Sequence, residues 1–528
     1  MTQKKNQAEG SKETELKLTC RSEDIAKILG LSYVAEHLRY EPEHCELASR
    51  YFDTPDCALN EEDVELRIRR EGDRWIQTMK VAEQPGDALG VYERMEYDAE
   101  VDDAELNLDL LPAQNGHGKL PVHKSKIQKK LQPVFETKIS RTLHDLEIQG
   151  DLVEMVVDEG EVSAGGKVTA LCQIELELKR GRPETLYEVA SQLAKQVPVR
   201  LGSPRKADVG YRLLNHREPE PQKITPLKFR AKIPVEEAFL AILTNCLELI
   251  RGNEAAILEG RNIDAVHQMR IGLRRLKSLF SVFSIAIPKR ITAPFKERLD
   301  VIGVPLGVAR DWDVFVEERL RPMLSEFPEE KLFSDLQKVA NRKRGYAYRK
   351  LRNAILSREY GATIIELNLW IVKQGWRGEM SKKELKALNR PVRSMAATIL
   401  EKAHQGVMEQ AGSLDLATDE EWHKLRLAIK KQRYTVDFFQ SCFPGKPAKS
   451  YGKAARRLQD HLGKLNDVAN ASAHLEELAG QDEASPTHMV AIAFRGWQSR
   501  ERTLLRDGIV EKWKAFATAP KFWTTPKK

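Results

Sequence analysis

No stretch of this chain approaches the roughly 18 consecutive apolar residues that a spanning helix needs, so an ordinary transmembrane segment is not expected. The opening MTQKKNQAEGSK is polar and lacks the apolar centre of a secretory signal. Cysteine is scarce: the six (Cys20, Cys45, Cys57, Cys172, Cys246, Cys442) are scattered without a CxxC pair, which points to reduced, mostly buried thiols in a cytoplasmic protein. There is no GxxxxGK[ST] loop, so a P-loop NTPase is not expected, and no serine-nucleophile or RNP-like aromatic motif. Neither sign of charge dominates: 85 Lys and Arg against 78 Asp and Glu leave +7. Where the charges lie therefore matters more than their sum.

What is present is a globular composition, 41% hydrophobic and 31% charged, over a length that calls for more than one domain. Side chains on a strand alternate faces. In Glu13-Thr14-Glu15-Leu16-Lys17, Glu13, Glu15 and Lys17 share one face, and Leu16 and Leu18 share the other. After a helix start at Ser22, further strands are expected at 46–53, 64–70, 74–81, 91–100, 134–146, 152–158 and 170–179. A Gly72-Asp73 turn joins the third to the fourth, residues 84–90 form a loop, 102–121 are irregular and 122–131 form a short basic helix. The last strand repeats the opening layout, with Glu175, Glu177 and Lys179 on one face.

Eight strands with mostly short links suit an antiparallel barrel. Whole strands specialise in charge, with Glu pairs at both ends and Arg and Lys between. If that face lines a closed barrel, acidic strands can hold divalent cations and basic strands a polyanion. Mg²⁺ and Mn²⁺ favour carboxylate, water and phosphate oxygens, and guanidinium groups grip phosphate in bidentate fashion.

In these residues the chain resembles a CYTH domain, the triphosphate tunnel metalloenzymes. The matches run in order: Glu13-x-Glu15-x-Lys17, Arg50-Tyr51-Phe52-Asp53-Thr54, Leu66-Arg67-Ile68-Arg69, Thr78-x-Lys80, Arg94-x-Glu96, Phe135-x-Thr137-Lys138-x-x-Arg141, Asp158-x-Gly160 and Glu175-Leu176-Glu177. The resemblance implies an eight-stranded tunnel, over residues 11–215, that uses Mg²⁺ or Mn²⁺ on triphosphate compounds. It implies Glu13, Glu15, Asp158, Glu175 and Glu177 as metal ligands, and Lys17, Arg67, Arg69, Lys80, Arg94, Lys138, Arg141 and Lys206 as phosphate ligands. Glu13, Glu15, Lys17, Glu175 and Glu177 form its catalytic set. The family's closing Ser-Lys-x-x-Arg-Gly-Tyr departs here, with Val209 in place of the Arg before Gly210-Tyr211. That phosphate contact is missing or falls to Arg205 or Arg212. Lys138 and Arg141 differ in strand parity, so both face inward only across a bulge.

Residues 216–231 carry three prolines without periodicity and read as a linker; from 232 to 515 the pattern is helical. An internal repeat is visible by subtraction: His267-x-x-Arg270-x-x-x-Arg274-Arg275-x-Lys277 matches His423-x-x-Arg426-x-x-x-Lys430-Lys431-x-Arg433, and 423 − 267 = 156. Leu306-Gly307 and Asp311 match Leu462-Gly463 and Asp467, and Phe283 matches Phe439, at the same offset. Met269, Leu273, Leu276 and Phe280 form an apolar stripe beside a basic one. Duplication can bring two such basic stripes to one anion-binding groove. With Leu-Gly-x-x-Arg310-Asp311-x-Asp313, these blocks resemble a CHAD domain, an all-helical module of two related halves. That resemblance implies polyphosphate binding, here through His267, Arg270, Arg274, Arg275, Lys277, Arg310, His423, Arg426, Lys430, Lys431 and Arg433.

The expected architecture is multidomain α+β: an eight-stranded antiparallel β-barrel tunnel with flanking helices, then an all-α domain of two duplicated helical-bundle halves. The expected function is metal-dependent hydrolysis of inorganic tripolyphosphate to pyrophosphate and phosphate, with long-chain polyphosphate held by the helical domain. A polyphosphate-binding protein of little catalysis, and a triphosphatase acting on nucleoside or thiamine triphosphates, are the competing readings. Neither a membrane nor nucleic acid is the expected partner.

Overall fold

The computed structural model of the protein describes residues 10–82, 91–111, 114–115, 118–119, 127–202, 204–326, 331–411, 418–479 and 486–524. The chain divides into two compact units, one of residues 1–219 with 356–375 and the other of 220–355 with 376–528.

The first unit is built on eight strands: β1 (Gly10–Thr19), β2 (Glu43–Asp53), β3 (Val64–Glu71), β4 (Arg74–Ala82), β5 (Val91–Val101), β6 (Gln132–Ile148), β7 (Asp151–Ala164) and β8 (Lys167–Arg180). Every neighbouring pair is antiparallel, and the sheet closes because β1 pairs with β5 on one side and β8 on the other. The ring reads β1-β8-β7-β6-β2-β3-β4-β5. Two-residue turns make the tight hairpins. Gln149 and Gly150 between β6 and β7, and Gly165 and Gly166 between β7 and β8, all have positive φ, as a turn matched to strand twist requires.

Closure gives each strand an inner and an outer face, and part of each is buried. Outside, Leu66 and Ile68 of β3 join Phe52, Met79, Val81 and Tyr97 in one apolar cluster. Inside, one stretch is apolar too: Leu47, Tyr51, Phe135, Ile139, Val162 and Leu171 pack with Val209 and Tyr211. Helix α1 (Glu184–Gln196) follows the barrel; strand β9 (Arg200–Leu201) adds to β1; helix α2 (Lys206–Leu214) carries Val209 and Tyr211. The helix Arg358–Val372, inside the long helical stretch of the sequence, belongs to this unit. It lies along α1 and β9 and approaches closely: a Cβ at Gly361 would stand 2.0 Å from the carbonyl oxygen of Val199. Strands β6 to β8 outrun the expected ones by several residues. The expected loop at 84–90 and residues 120–126 of the expected basic helix lie outside the described residues; the rest of that helix is a single 3₁₀ turn, Gln128–Lys130.

The second unit is helical. Helix α3 (Ile263–Val282) starts at Asn262, whose side chain accepts from the Ala265 amide at 3.0 Å. Helix α4 (Asp300–Val314) follows it, and helix α5 (Asp419–Phe439) starts at Thr418, whose capping box with Glu421 satisfies the first turn. The caps themselves obey the repeat, since 418 − 262 = 156. Met269, Leu273, Leu276 and Phe280 are buried, as are Leu425, Ile429 and Val436. Phe283 packs on its own counterpart Phe439, ring centroids 5.6 Å apart. Equivalent residues touch one another only near a two-fold relationship, so α3 and α5 flank a pseudo-dyad. Among the described residues, no helix is long and apolar enough to cross a membrane.

Candidate functional site

Register fixes which charged side chains share the barrel interior, because residues directly opposite point the same way. Glu15 faces Glu177 and Lys17 faces Glu175 across β1–β8; Glu65 faces Lys80, Lys80 faces Glu96, and Arg141 faces Asp158 on the neighbouring ladders. Glu13, Glu15, Lys17, Arg67, Arg69, Lys80, Arg94, Arg141, Asp158, Glu175, Glu177 and Lys206 are thereby gathered inside, none of them fully exposed. Sequence reasoning passed over Glu65 and Glu154 and did not place Glu96 in the site. All three share the inward parity of residues it did choose, which is the signal that finds them.

The charges engage in two groups. In the first, Arg141 holds the fully buried Asp158 in a bidentate fork (Nε–Oδ1 and Nη2–Oδ2, both 2.8 Å), and Lys206 reaches Asp158 at 2.7 Å and Glu175 at 3.0 Å. Lys17 lies 2.9 Å from Glu15 and 2.5 Å from Glu175. Burial opposes the Glu175 carboxylate, but Lys17, Lys206 and Arg141 hold it well below the usual carboxyl range. Burial likewise opposes the Lys17 ammonium, yet Glu15 and Glu175 hold it above the usual lysine range.

In the second group, Lys80 bridges Glu13 at 2.8 Å and Glu96 at 3.1 Å, Arg67 stands 3.7 Å from Glu96, and Arg94 stands 3.6 Å from Glu65. Two donors here are left over. The Nε atoms of Arg67 and Arg69 are buried without a hydrogen-bond partner among the described residues. A buried guanidinium N–H without an acceptor costs free energy, and an oxyanion entering the barrel would remove that cost.

The carboxylates show the opposite excess. Burial and a hydrogen bond to Glu96 push Glu13 up, and burial pushes Glu177 up despite Lys179 2.8 Å away. Oxygen donors that the local cations do not fully compensate fit a hard divalent ion. Among the described residues, no three Asp, Glu, His or Cys side chains are gathered as a ready-made metal cluster, because lysines and arginines occupy the spaces between the carboxylates.

Two expectations are corrected. Lys138 is exposed on the outer wall, opposite in parity to Arg141; the one irregularity on its β2 ladder falls between Tyr51 and Phe52, beyond it, so nothing turns Lys138 inward. Val209 supplies no phosphate contact, and the Arg205 guanidinium is already engaged. Val209 is buried in the apolar cluster, and Arg205 is tied to Asp63 at 2.8 Å and to Asp208. The Gly210-Tyr211 pair is structural: a Cβ at Gly210 would come within 2.3 Å of the Phe135 ring, and Tyr211 donates to the fully buried Asp53 at 2.7 Å. Asp53 also accepts from the amides of Thr54, Leu59 and Asn60. These contacts seat α2 and so set the root of Lys206.

In the helical unit the two basic stripes do converge. Arg270 donates to the Gly307 carbonyl at 2.7 Å and to Asp311 at 3.0 Å, and Arg426 stands in the field of Asp467, the Asp311 counterpart. Burial together with Arg274, Arg426 and Arg270 pushes the Lys430 ammonium down to about 7. Burial, Arg310 and Arg274 hold His267 below the usual imidazole range. The Nε atom of Arg426 is buried without a hydrogen-bond partner among the described residues, and that of Arg433 stands 3.6 Å from Asp437. Lys277 pairs with Asp300, Arg310 with Glu318 at 3.0 Å, and Arg433 with Gln459. Lys431 and His423 are exposed. Arg275 is the exception: it is buried over the Phe438 ring, 5.0 Å from its centroid, and is a packing residue rather than part of the groove.

Comparison with known protein families divides the sequence near the same point, except that residues 356–375, grouped with the barrel, fall within the second match. Residues 11–211 match the CYTH domain family and residues 241–476 the CHAD domain family. The inorganic triphosphatase of Haemophilus influenzae is 29% identical over 206 residues, 38% of this chain and 54% of that protein, so the match spans about half the length of that curated relative. Among solved structures, the CHAD domain from the plant Ricinus communis is 26% identical, covering 56% of this chain and 97% of that one with a TM-score of 0.48. PptA from Streptomyces chartreusis is 16% identical, covering 53% and 100%, with a TM-score of 0.41. The chain is a CYTH domain followed by a CHAD domain.

Proposed function

We propose that the barrel is a metal-dependent inorganic triphosphatase that cleaves tripolyphosphate to pyrophosphate and phosphate. The observation that carries this reading is the pair of orphaned Nε donors, of Arg67 and Arg69, buried in the same closed ring as the incompletely compensated carboxyls of Glu13 and Glu177. A substrate that brings phosphate oxygens together with a divalent cation answers both excesses at once. Glu13, Glu15, Asp158, Glu175 and Glu177 are the residues that would hold Mg²⁺ or Mn²⁺. When bound, such an ion neutralises phosphate oxygens and makes a coordinated water a better nucleophile at neutral pH. Lys17, Lys80, Arg67, Arg69, Arg94, Arg141 and Lys206 then exchange their carboxylate partners for phosphate oxygens, orienting the chain for in-line attack and stabilising the charge on the leaving pyrophosphate.

The test is phosphate release from tripolyphosphate by the full chain with Mg²⁺ or Mn²⁺, beside ATP and thiamine triphosphate. Glu15→Ala combined with Glu175→Ala should abolish turnover in a protein that keeps its circular dichroism. Turnover that survives the pair would defeat the proposal.

The helical unit binds long-chain polyphosphate in this reading. Support comes from the crowding of Arg270, Arg274, Arg426 and Lys430, a concentration of like charge that a polyanion would relieve. Binding should fall steeply with salt, since counterions are released. An RNA competitor that displaces polyphosphate at equal charge would argue for a general polyanion groove instead.

A further inference from the structure

Glu15, Lys17, Glu175 and Glu177 all lie on β1 and β8, the two strands whose pairing closes the barrel. At the end of that ladder, one step beyond the Thr19–Gln173 pair, Cys20 stands opposite Cys172, and their sulfurs are 3.0 Å apart. A disulfide bond is about 2.05 Å long and suits two cysteines facing each other on antiparallel neighbours. Forming it here requires a movement of about 1 Å. All six cysteines are free thiols.

We propose that Cys20 and Cys172 are a modification site: they form a reversible disulfide that staples β1 to β8 across the closing seam of the barrel. The oxidant class is a small-molecule disulfide of the glutathione type. The two thiols are unlike in access, Cys20 being buried and Cys172 half-buried. Their contact divides the titration, pulling Cys172 down and, together with burial, pushing Cys20 up, which makes Cys172 the attacking thiolate. It attacks one sulfur of the oxidant and displaces one thiolate, which takes up a proton. Cys20 then gives up its proton, attacks the Cys172 sulfur of the mixed disulfide and displaces the second thiol. Two protein thiols are oxidised by two electrons, and one oxidant disulfide is reduced to two thiols.

A bond joining residues 152 positions apart restricts the unfolded chain strongly, so oxidation should raise the unfolding temperature. The full chain is incubated with oxidised glutathione under native conditions, alkylated, digested without reductant and mapped by mass spectrometry. The expected result is a peptide linking Cys20 to Cys172, four alkylated cysteines in place of six, and a rise in melting temperature that dithiothreitol reverses. Cys20→Ser and, separately, Cys172→Ser should each lose both the linked peptide and the temperature rise while melting like the reduced parent. The proposal is overturned if both thiols stay alkylatable, if glutathione stays attached to Cys172 unresolved, or if the only cross-link joins two chains.

Discussion

Lys430 lies beside Arg274, its own counterpart in the other repeat (430 − 274 = 156), and the repulsion helps push it down to about 7. That shift sets the sign of its effect on stability. An unfolded lysine titrates near 10.4, so between about 7 and 10 the folded state binds fewer protons than the unfolded one, and stability rises with pH through that window. Lys430→Met should raise the melting temperature at pH 7 by a few degrees and weaken polyphosphate binding. Polyphosphate affinity of the parent should strengthen as pH falls from 8 to 6, as Lys430 gains its charge. Calorimetry and binding titrations across pH read both; a flat pH response removes Lys430 from the groove.

Arg141 and Lys138 make a matched pair of substitutions three residues apart. Arg141→Ala takes the bidentate partner from a fully buried Asp158 and should cost about 3–5 kcal/mol of stability together with nearly all triphosphatase turnover. Lys138→Ala, on the outer wall, should stay within about 0.5 kcal/mol and keep turnover. Urea denaturation and phosphate release on the two variants decide it.

The Gly210-Tyr211 pair predicts two losses with separate causes. Tyr211→Phe leaves a lone pair of buried Asp53 without its hydroxyl donor and should cost about 1–3 kcal/mol. Gly210→Ala drives a methyl into the Phe135 ring and should cost about 1–3 kcal/mol by overpacking. Both should weaken tripolyphosphate binding as well, because Lys206 opens the same helix.

Glu13 sets an acid limb. Its carboxyl is held above the usual range, so at low pH it keeps a proton that competes with a cation for the same oxygens. Apparent Mg²⁺ affinity should therefore rise with pH through the range in which Glu13 ionises, and Glu13→Gln should flatten that rise while lowering affinity at least tenfold. Metal titrations at stepped pH give the comparison.

Excision tests the first unit. A fragment ending at 219 lacks the helix Arg358–Val372, in which Ile364, Ile365, Leu367 and Ile371 are buried. Each such side chain contributes about 1.5–3 kcal/mol when fully buried, so the fragment should melt well below a version with residues 356–375 fused through a flexible linker. Equal melting temperatures would refute the assignment of that helix to the barrel unit.

Much of this was legible in the chain because period 2 and period 3.6 report burial directly. The inward parity of Glu13, Glu15 and Lys17, the return of that layout at Glu175 and Glu177, and the 156-residue offset all come from spacing. The same parity puts Glu65 on the face of Arg67 and Arg69, but spacing alone gives no role to a carboxylate on a basic strand. Parity already set Lys138 against Arg141, and only the register shows that no bulge turns Lys138 inward. Arg275 entered the polyphosphate set through the CHAD resemblance, since nothing in the sequence shows the Phe438 ring beneath it. The 358–372 helix has a periodicity like that of its neighbours, and nothing local marks the partner it packs against.

That helix also sets a schedule. During synthesis the ribosome must pass residue 375 before the polypeptide holds every piece of its N-terminal unit, by which time 220–355 has already been made. The β-strands are thus the first part of the protein to be made, yet the unit they belong to cannot be finished until a long segment of the other has been made.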